Sequence, residues 1–105
     1  MPLNEIQERV DGFIQQQDVR YFQPLTLVAR LAEEVGEIAR EVNHQHGEKP
    51  KKAGEKPGSI AEELGDLVFV VASLANSLGI DLDTAFEQTM RKVETRDRDR
   101  WKRRA

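Results

Sequence analysis

Apolar residues recur along most of this chain at every third or fourth position, and nowhere do they alternate with the two-residue period of a strand. Ile6, Val10, Phe13 and Ile14 mark one face of an amphipathic helix over about 4–19. Tyr21-Phe22-Gln23-Pro24 interrupts that face. Because proline suits the first turn of a helix, Pro24 is expected to open a second helix that runs to about His44. Its apolar seam is Leu27, Leu31, Val35, Ile38 and Val42. From Asn43 to Gly58 the pattern gives way to glycine, proline and lysine, a connection longer than most helix–helix loops and hence expected to be functional or disordered.

Ser59 stands three residues before Glu62, the spacing of a capping box, so a third helix should begin at Ile60. It runs to Leu78, where Gly79 supplies a stop. Its second half, Leu67 to Ala75, is apolar on nearly every side, which puts this helix at the centre of the fold or against another subunit. Asp81 can cap a fourth helix over about 82–101, with Leu82, Ala85, Phe86, Met90 and Val93 facing inward. The expected fold class is therefore all-α, a four-helix-bundle-like protomer with helices near 4–19, 24–44, 60–78 and 82–101, in one domain spanning 1–105.

Length and composition narrow the function. A chain of 105 residues can bury only about two-thirds of its unfolded surface, so its core must be small and a partner subunit would help it. No apolar run approaches the ~20 residues of a membrane span, and the start MPLNEIQERVDGF lacks the pattern of a signal peptide. A cytoplasmic protein with no membrane partner is expected. With no cysteine there is no disulfide, thiolate metal site or thiol nucleophile, so a metal must be held by oxygen or by the two histidines. The net charge of −3 hides an asymmetry: residues 91–104 carry eight Lys or Arg against three acids, leaving that segment near +5 and the rest near −8. An acidic body would repel a nucleic-acid backbone, so the basic tail points to phosphate more than to DNA.

Two short strings carry the chemistry: Glu33-Glu34-Val35-Gly36-Glu37 on the second helix and Glu62-Glu63-Leu64-Gly65-Asp66 on the third. Residues three apart on a helix lie about 60° apart around its axis, so Glu34 with Glu37, and Glu63 with Asp66, each form a stripe on one face. Glu34 and Glu63 border the apolar seams, with Glu37 one step further out. Four carboxylates near a packing surface repel each other and lose hydration unless protonated or bound to a cation. All-oxygen ligation favours Mg2+, with Mn2+ as a substitute, and magnesium accepts further ligands from substrate phosphates.

Neighbouring acids are assigned elsewhere. A single acid-x-x-acid string is commonly just a solvated helix surface, and acids near a helix N-terminus also meet its dipole favourably; two matched strings at seam edges reverse that judgement. Glu62 belongs to the capping box, Glu33 points to solvent, and Glu41 extends the stripe by a turn as an outer group. A carboxylate-bridged iron bundle would need Glu-x-x-His on two helices, and only Glu41-Val42-Asn43-His44 fits. His44 and His46 read as loop or helix-terminal residues.

The pair E-E-V-G-E at 33–37 and E-E-L-G-D at 62–66, with 25 residues between Glu37 and Glu63, resembles the motif of the MazG-like nucleotide pyrophosphohydrolases, the all-α NTP pyrophosphatases. The resemblance covers essentially the whole chain. It is strongest toward the short single-domain YpjD-like members, through AREVNHQHGEKPKK at 39–52 and TRDRDRW at 95–101. It implies hydrolysis of a nucleoside triphosphate to monophosphate and pyrophosphate, magnesium on the residues matching the four acids, and a homodimer or dimer of dimers. Lys92 and Arg96 match the basic positions of the family's late K-x-x-x-R stretch. Their spacing lets both reach one phosphate group. Met90 departs from the asparagine common two residues before that lysine, so base and sugar recognition do not transfer; Tyr21, Phe22 and Trp101 are the available stacking residues.

The expected mechanism has magnesium on Glu34, Glu37, Glu63 and Asp66 binding the triphosphate, polarising the α-phosphate and acidifying water, with Lys92 and Arg96 neutralising the outer phosphates. Nucleotide-pool housekeeping is the expected role. The alternatives are a non-enzymatic regulatory module that binds nucleotide or nucleic acid through the basic tail, and a homologue that holds nucleotide but hydrolyses it slowly. Glu94, Asp97 and Asp99 interleave with the basic residues and weigh against nucleic acid as the partner.

Overall fold

Residues 2–18, 20–47 and 58–101 are described by a computed structural model of the chain, and most of the long connection expected at 43–58 lies outside them. The fold is all-α: α1 Leu3–Gln16, α2 Pro24–His46, α3 Ile60–Leu78 and α4 Leu82–Arg96. No single helix among the described residues is long and apolar enough to cross a membrane.

Helix ends follow local chemistry where a cap exists. Pro24 opens α2. The Ser59 hydroxyl accepts from the Glu62 amide at 3.1 Å to start α3, and Gly79 ends it in the left-handed region at φ 68°. The Gly79 and Ile80 amides donate back to the Asn76 and Ala75 carbonyls at 3.2 and 2.8 Å, closing a Schellman motif. Asp81 caps α4 by accepting from the Asp83 amide at 3.3 Å. Uncapped ends depart from expectation. α1 stops at Gln16 rather than near 19, because Gln17 turns extended and the polar run Gln15 to Asp18 gives the helix nothing to bury. α4 stops at Arg96 rather than 101, where Asp97 binds the side chains of both Arg96 and Arg100.

α2 and α3 run antiparallel as the main hairpin, and α1 lies antiparallel on α3, with the Phe13 and Phe69 rings edge to face at 6.4 Å. The core is small: Val10, Leu27, Val70, Ala72 and Ala75. The α2 seam differs from the expected one. Leu27 is buried, but Val35 and Val42 are 53% and 40% exposed, while Glu34 and Glu41 occupy buried positions. Val28, Val35 and Val42 repeat every seven residues and form an outward apolar stripe, joined on α3 by exposed Leu64 and Val68. α4 likewise buries none of its expected inward residues completely, and Phe86 is exposed. It contacts α1, and its axis is bent 107° from that of α3. The radius of gyration is 17.5 Å, against about 13 Å for a compact chain of this size, so these apolar faces lie outside any core that one copy builds.

A polar lock joins the helix ends. Gln7, buried on α1, donates to the Asn76 side chain at 3.0 Å and the Ile80 carbonyl at 2.8 Å, and accepts from the Leu82 amide at 2.8 Å. Asn76 donates to the Gln7 carbonyl and to the Tyr21 hydroxyl, which in turn donates to Asp11 at 2.7 Å. One side chain thereby ties α1 to the α3–α4 corner.

Candidate metal centre

The antiparallel hairpin brings the two acid strings to the same level. Glu34, Glu37 and Glu63 each offer a carboxylate oxygen, and these oxygens lie within 4.8 Å of one another. Asp66 stands outside that set but close enough for its charge to act on both Glu34 and Glu63. Glu34 is buried, Glu63 half-buried, and Glu37 and Asp66 exposed, so the group spans the seam from interior to solvent. Glu33 and Glu62 face solvent.

The electrostatics follow from that crowding. A hydrogen bond donated to Glu37, then burial, then the negative charges of Glu37, Asp66 and Glu34 push the Glu63 carboxyl up to about 7. Burial raises Glu34 as well, with the charges of Glu37 and Asp66 adding to it and the Arg30 guanidinium pulling the other way. One oxygen of Glu34 and one of Glu63 are buried without a hydrogen-bond partner among the described residues. Orphaned carboxylate oxygens aimed into a cluster of acids suit a hard divalent cation, and no sulfur or nitrogen ligand competes within the cluster.

The outer residues divide. Glu41, also buried, packs against Gly58, where a Cβ would collide with its carboxylate. His44 sits in the last turn of α2 with a buried Nδ1, and His46 is exposed there. Lys92 and Arg96 are exposed on α4. Arg96 forms a two-pronged pair with Asp97, 3.1 Å on each side. The run of α3 from Glu63 to Leu78 is about 22 Å long at the helical rise, and α4 then leaves it at 107°, so the basic pair sits on a different arm of the fold from the acid strings of α2 and α3. Arg30 is a neighbour that sequence reasoning passed over. Its signal was its position, one turn before Glu34 on α2.

The comparisons with known proteins agree with one another. The model of the MazG nucleotide pyrophosphohydrolase domain matches residues 22–101. The protein YpjD of Bacillus subtilis (strain 168) is 54% identical over 101 residues, 96% of this chain and 91% of YpjD. The crystal structure of Bacillus subtilis YpjD superposes with a TM-score of 0.76 at 53% identity, covering 86% of this chain and 92% of that one. The crystal structure of a Bacillus-conserved MazG protein, a nucleotide pyrophosphohydrolase, superposes with a TM-score of 0.77 at 49% identity over 92% and 94% of the two chains.

Proposed function

This chain belongs to the MazG nucleotide pyrophosphohydrolase domain family, and from that premise we propose that it is a magnesium-dependent enzyme converting an NTP or dNTP to the monophosphate and pyrophosphate. The observation that carries the reading is the convergence of Glu34, Glu37 and Glu63, with two buried oxygens left unpartnered. Glu34 and Glu63 are the inner ligands, and Glu37 and Asp66 complete the set from the solvent side. Magnesium, when bound there, supplies positive charge for the triphosphate and acidifies water; manganese is the substitute. The chain's own contribution is to hold four acids in a partly dry groove and to release the Glu63 proton when a cation enters.

Lys92 and Arg96 are assigned to the outer phosphates; because α4 leaves α3 at 107°, a second copy is proposed to bring them to the acids. A homodimer or a dimer of dimers meets that need and covers the outward stripe of Val28, Val35 and Val42. Arg96 must leave Asp97 to engage substrate. The protein is taken as a single domain over 1–105 acting in the cytoplasm on the nucleotide pool. The regulatory-module alternative is weakened by the acids that interleave with the basic residues, Glu94, Asp97 and Asp99.

Metal titration tests the site. Wild type should bind Mg2+ or Mn2+ at equilibrium, and Glu34→Gln and Glu63→Gln should weaken that binding together with pyrophosphate release. Full magnesium-dependent release by Glu63→Gln would refute the assignment.

A further inference from the structure

Resting on the reading of this chain as a nucleotide hydrolase, we infer that the cavity between α1, α2 and α3 beside Phe22 receives the nucleotide's base, with Arg30 at its rim directing the sugar–phosphate end toward the carboxylates. The cavity has a volume of about 130 Å³, enough for an aromatic ring system. Ile14, Leu27 and Val70 give it an apolar floor, and Leu27 and Val70 are among the most buried side chains of the fold. Tyr21, Phe22 and Phe69 form its walls.

Four observations distinguish this cavity from a packing defect. Its mouth is aromatic and open: Phe22 is 54% exposed and Phe69 41%. The Arg30 guanidinium stands over the Phe22 ring, 5.9 Å from its centroid, so the rim carries the two side-chain types, aromatic and guanidinium, on which nucleobases stack. The Tyr21 wall is held in advance by Asp11 and Asn76, so little ordering is left for binding to do. Ser73, buried at the cavity edge, donates its hydroxyl to the Phe69 carbonyl at 2.9 Å and keeps lone pairs to accept an N–H from a base.

Register connects the cavity to the acids. Leu27 and Val70 lie at its floor, and seven residues along each helix stand Glu34 and Glu63. Seven residues are two turns, a rise of about 10 Å with only about 20° of drift around the axis. The cavity and the acids thus share one face, separated by about the length of a nucleoside with its first phosphate. Arg30 lies between the two levels, and its charge is felt at Glu34. A base in the cavity therefore leaves the α-phosphate beside the carboxylates.

The test uses the full-length protein and separates the two ends of the substrate. Adenosine, guanosine, cytidine, uridine and thymidine serve as phosphate-free probes, and inorganic tripolyphosphate with Mg2+ serves as the phosphate-only probe. At least one nucleoside should shift the methyl NMR signals of Leu27 and Val70 without any metal. Phe22→Ala should raise the nucleotide KM about tenfold with kcat changed less than twofold, and leave inhibition by tripolyphosphate intact. Phe22→Trp should preserve the wild-type KM, which guards against a loss that reflects only folding. Nucleoside shifts away from these methyls, no shift with any nucleoside, or an unchanged KM in both Phe22→Ala and Arg30→Ala would overturn the inference. If the wild type hydrolyses no nucleotide, the functional reading fails by itself and the nucleoside shifts still decide the cavity.

Discussion

The carboxyl groups of Glu37 on α2 and Glu63 on α3 share a hydrogen bond across the helix pair, and that sharing holds the Glu63 proton up to about pH 7. A metal site without its ion is thus stabilised by protons, and the pH dependence has a definite sign. In the unfolded chain Glu63 ionises near the ordinary 4.5, so between about 4.5 and 7 the folded form binds a proton that the unfolded form has lost. Folding stability of the metal-free protein should fall as pH rises through that window, with Glu34 contributing in the same direction. Thermal unfolding in a chelator at pH 5, 6, 7 and 8 should show a declining melting temperature, and Mg2+ should restore it at pH 8. A melting temperature that rises across the window would contradict the shared proton.

Removing the charge should separate stability from activity. Glu63→Gln keeps the shape and supplies a donor to Glu37, so the metal-free variant should melt above wild type at pH 8. Its turnover should drop by about 100-fold or more, as expected when a ligand of a catalytic ion is lost. Parallel melting curves and initial rates on the same preparation check both halves.

The polar lock at the α1–α4 corner makes a second, independent prediction. Gln7→Leu would leave the Leu82 amide, the Ile80 carbonyl and the Asn76 side-chain oxygen without their partner. Buried orphans of this kind should cost about 2–4 kcal/mol in urea unfolding. Because Gln7 ties down the start of α4, amide exchange should quicken across Leu82 to Phe86 while the α2–α3 hairpin keeps its protection.

Gly79→Ala tests the stop of α3. The residue sits at φ 68°, where a side chain is strained whatever space surrounds it, and nothing lies near an added Cβ. A loss of about 1 kcal/mol is expected, with the turnover rate unchanged.

Most of the fold was legible because its signals are local. α3 begins and ends at the expected residues since Ser59 and Gly79 cap it, whereas the uncapped ends of α1 and α4 each fall short. The inner positions of Glu34 and Glu63, with Glu37 further out, also followed from counting around the helix. The placement of Val35 and Val42 did not. Their apolar character marks them for burial, but Glu34 and Glu41 take the buried edge and leave the valines facing out. The separation of Lys92 from the acids was equally hidden, because it depends on the α3–α4 angle, a tertiary quantity no spacing records. Arg30 escaped notice since its partner is the ring of Phe22 in a preceding loop rather than a charge in a motif.

The most direct test of the central claim is product analysis by phosphorus NMR across a panel of ribo- and deoxyribonucleoside triphosphates, with and without Mg2+. Monophosphate and pyrophosphate in equal amounts, appearing only with the metal, is the expected result. Orthophosphate and nucleoside diphosphate, or the same products at the same rate in a chelator, would contradict it.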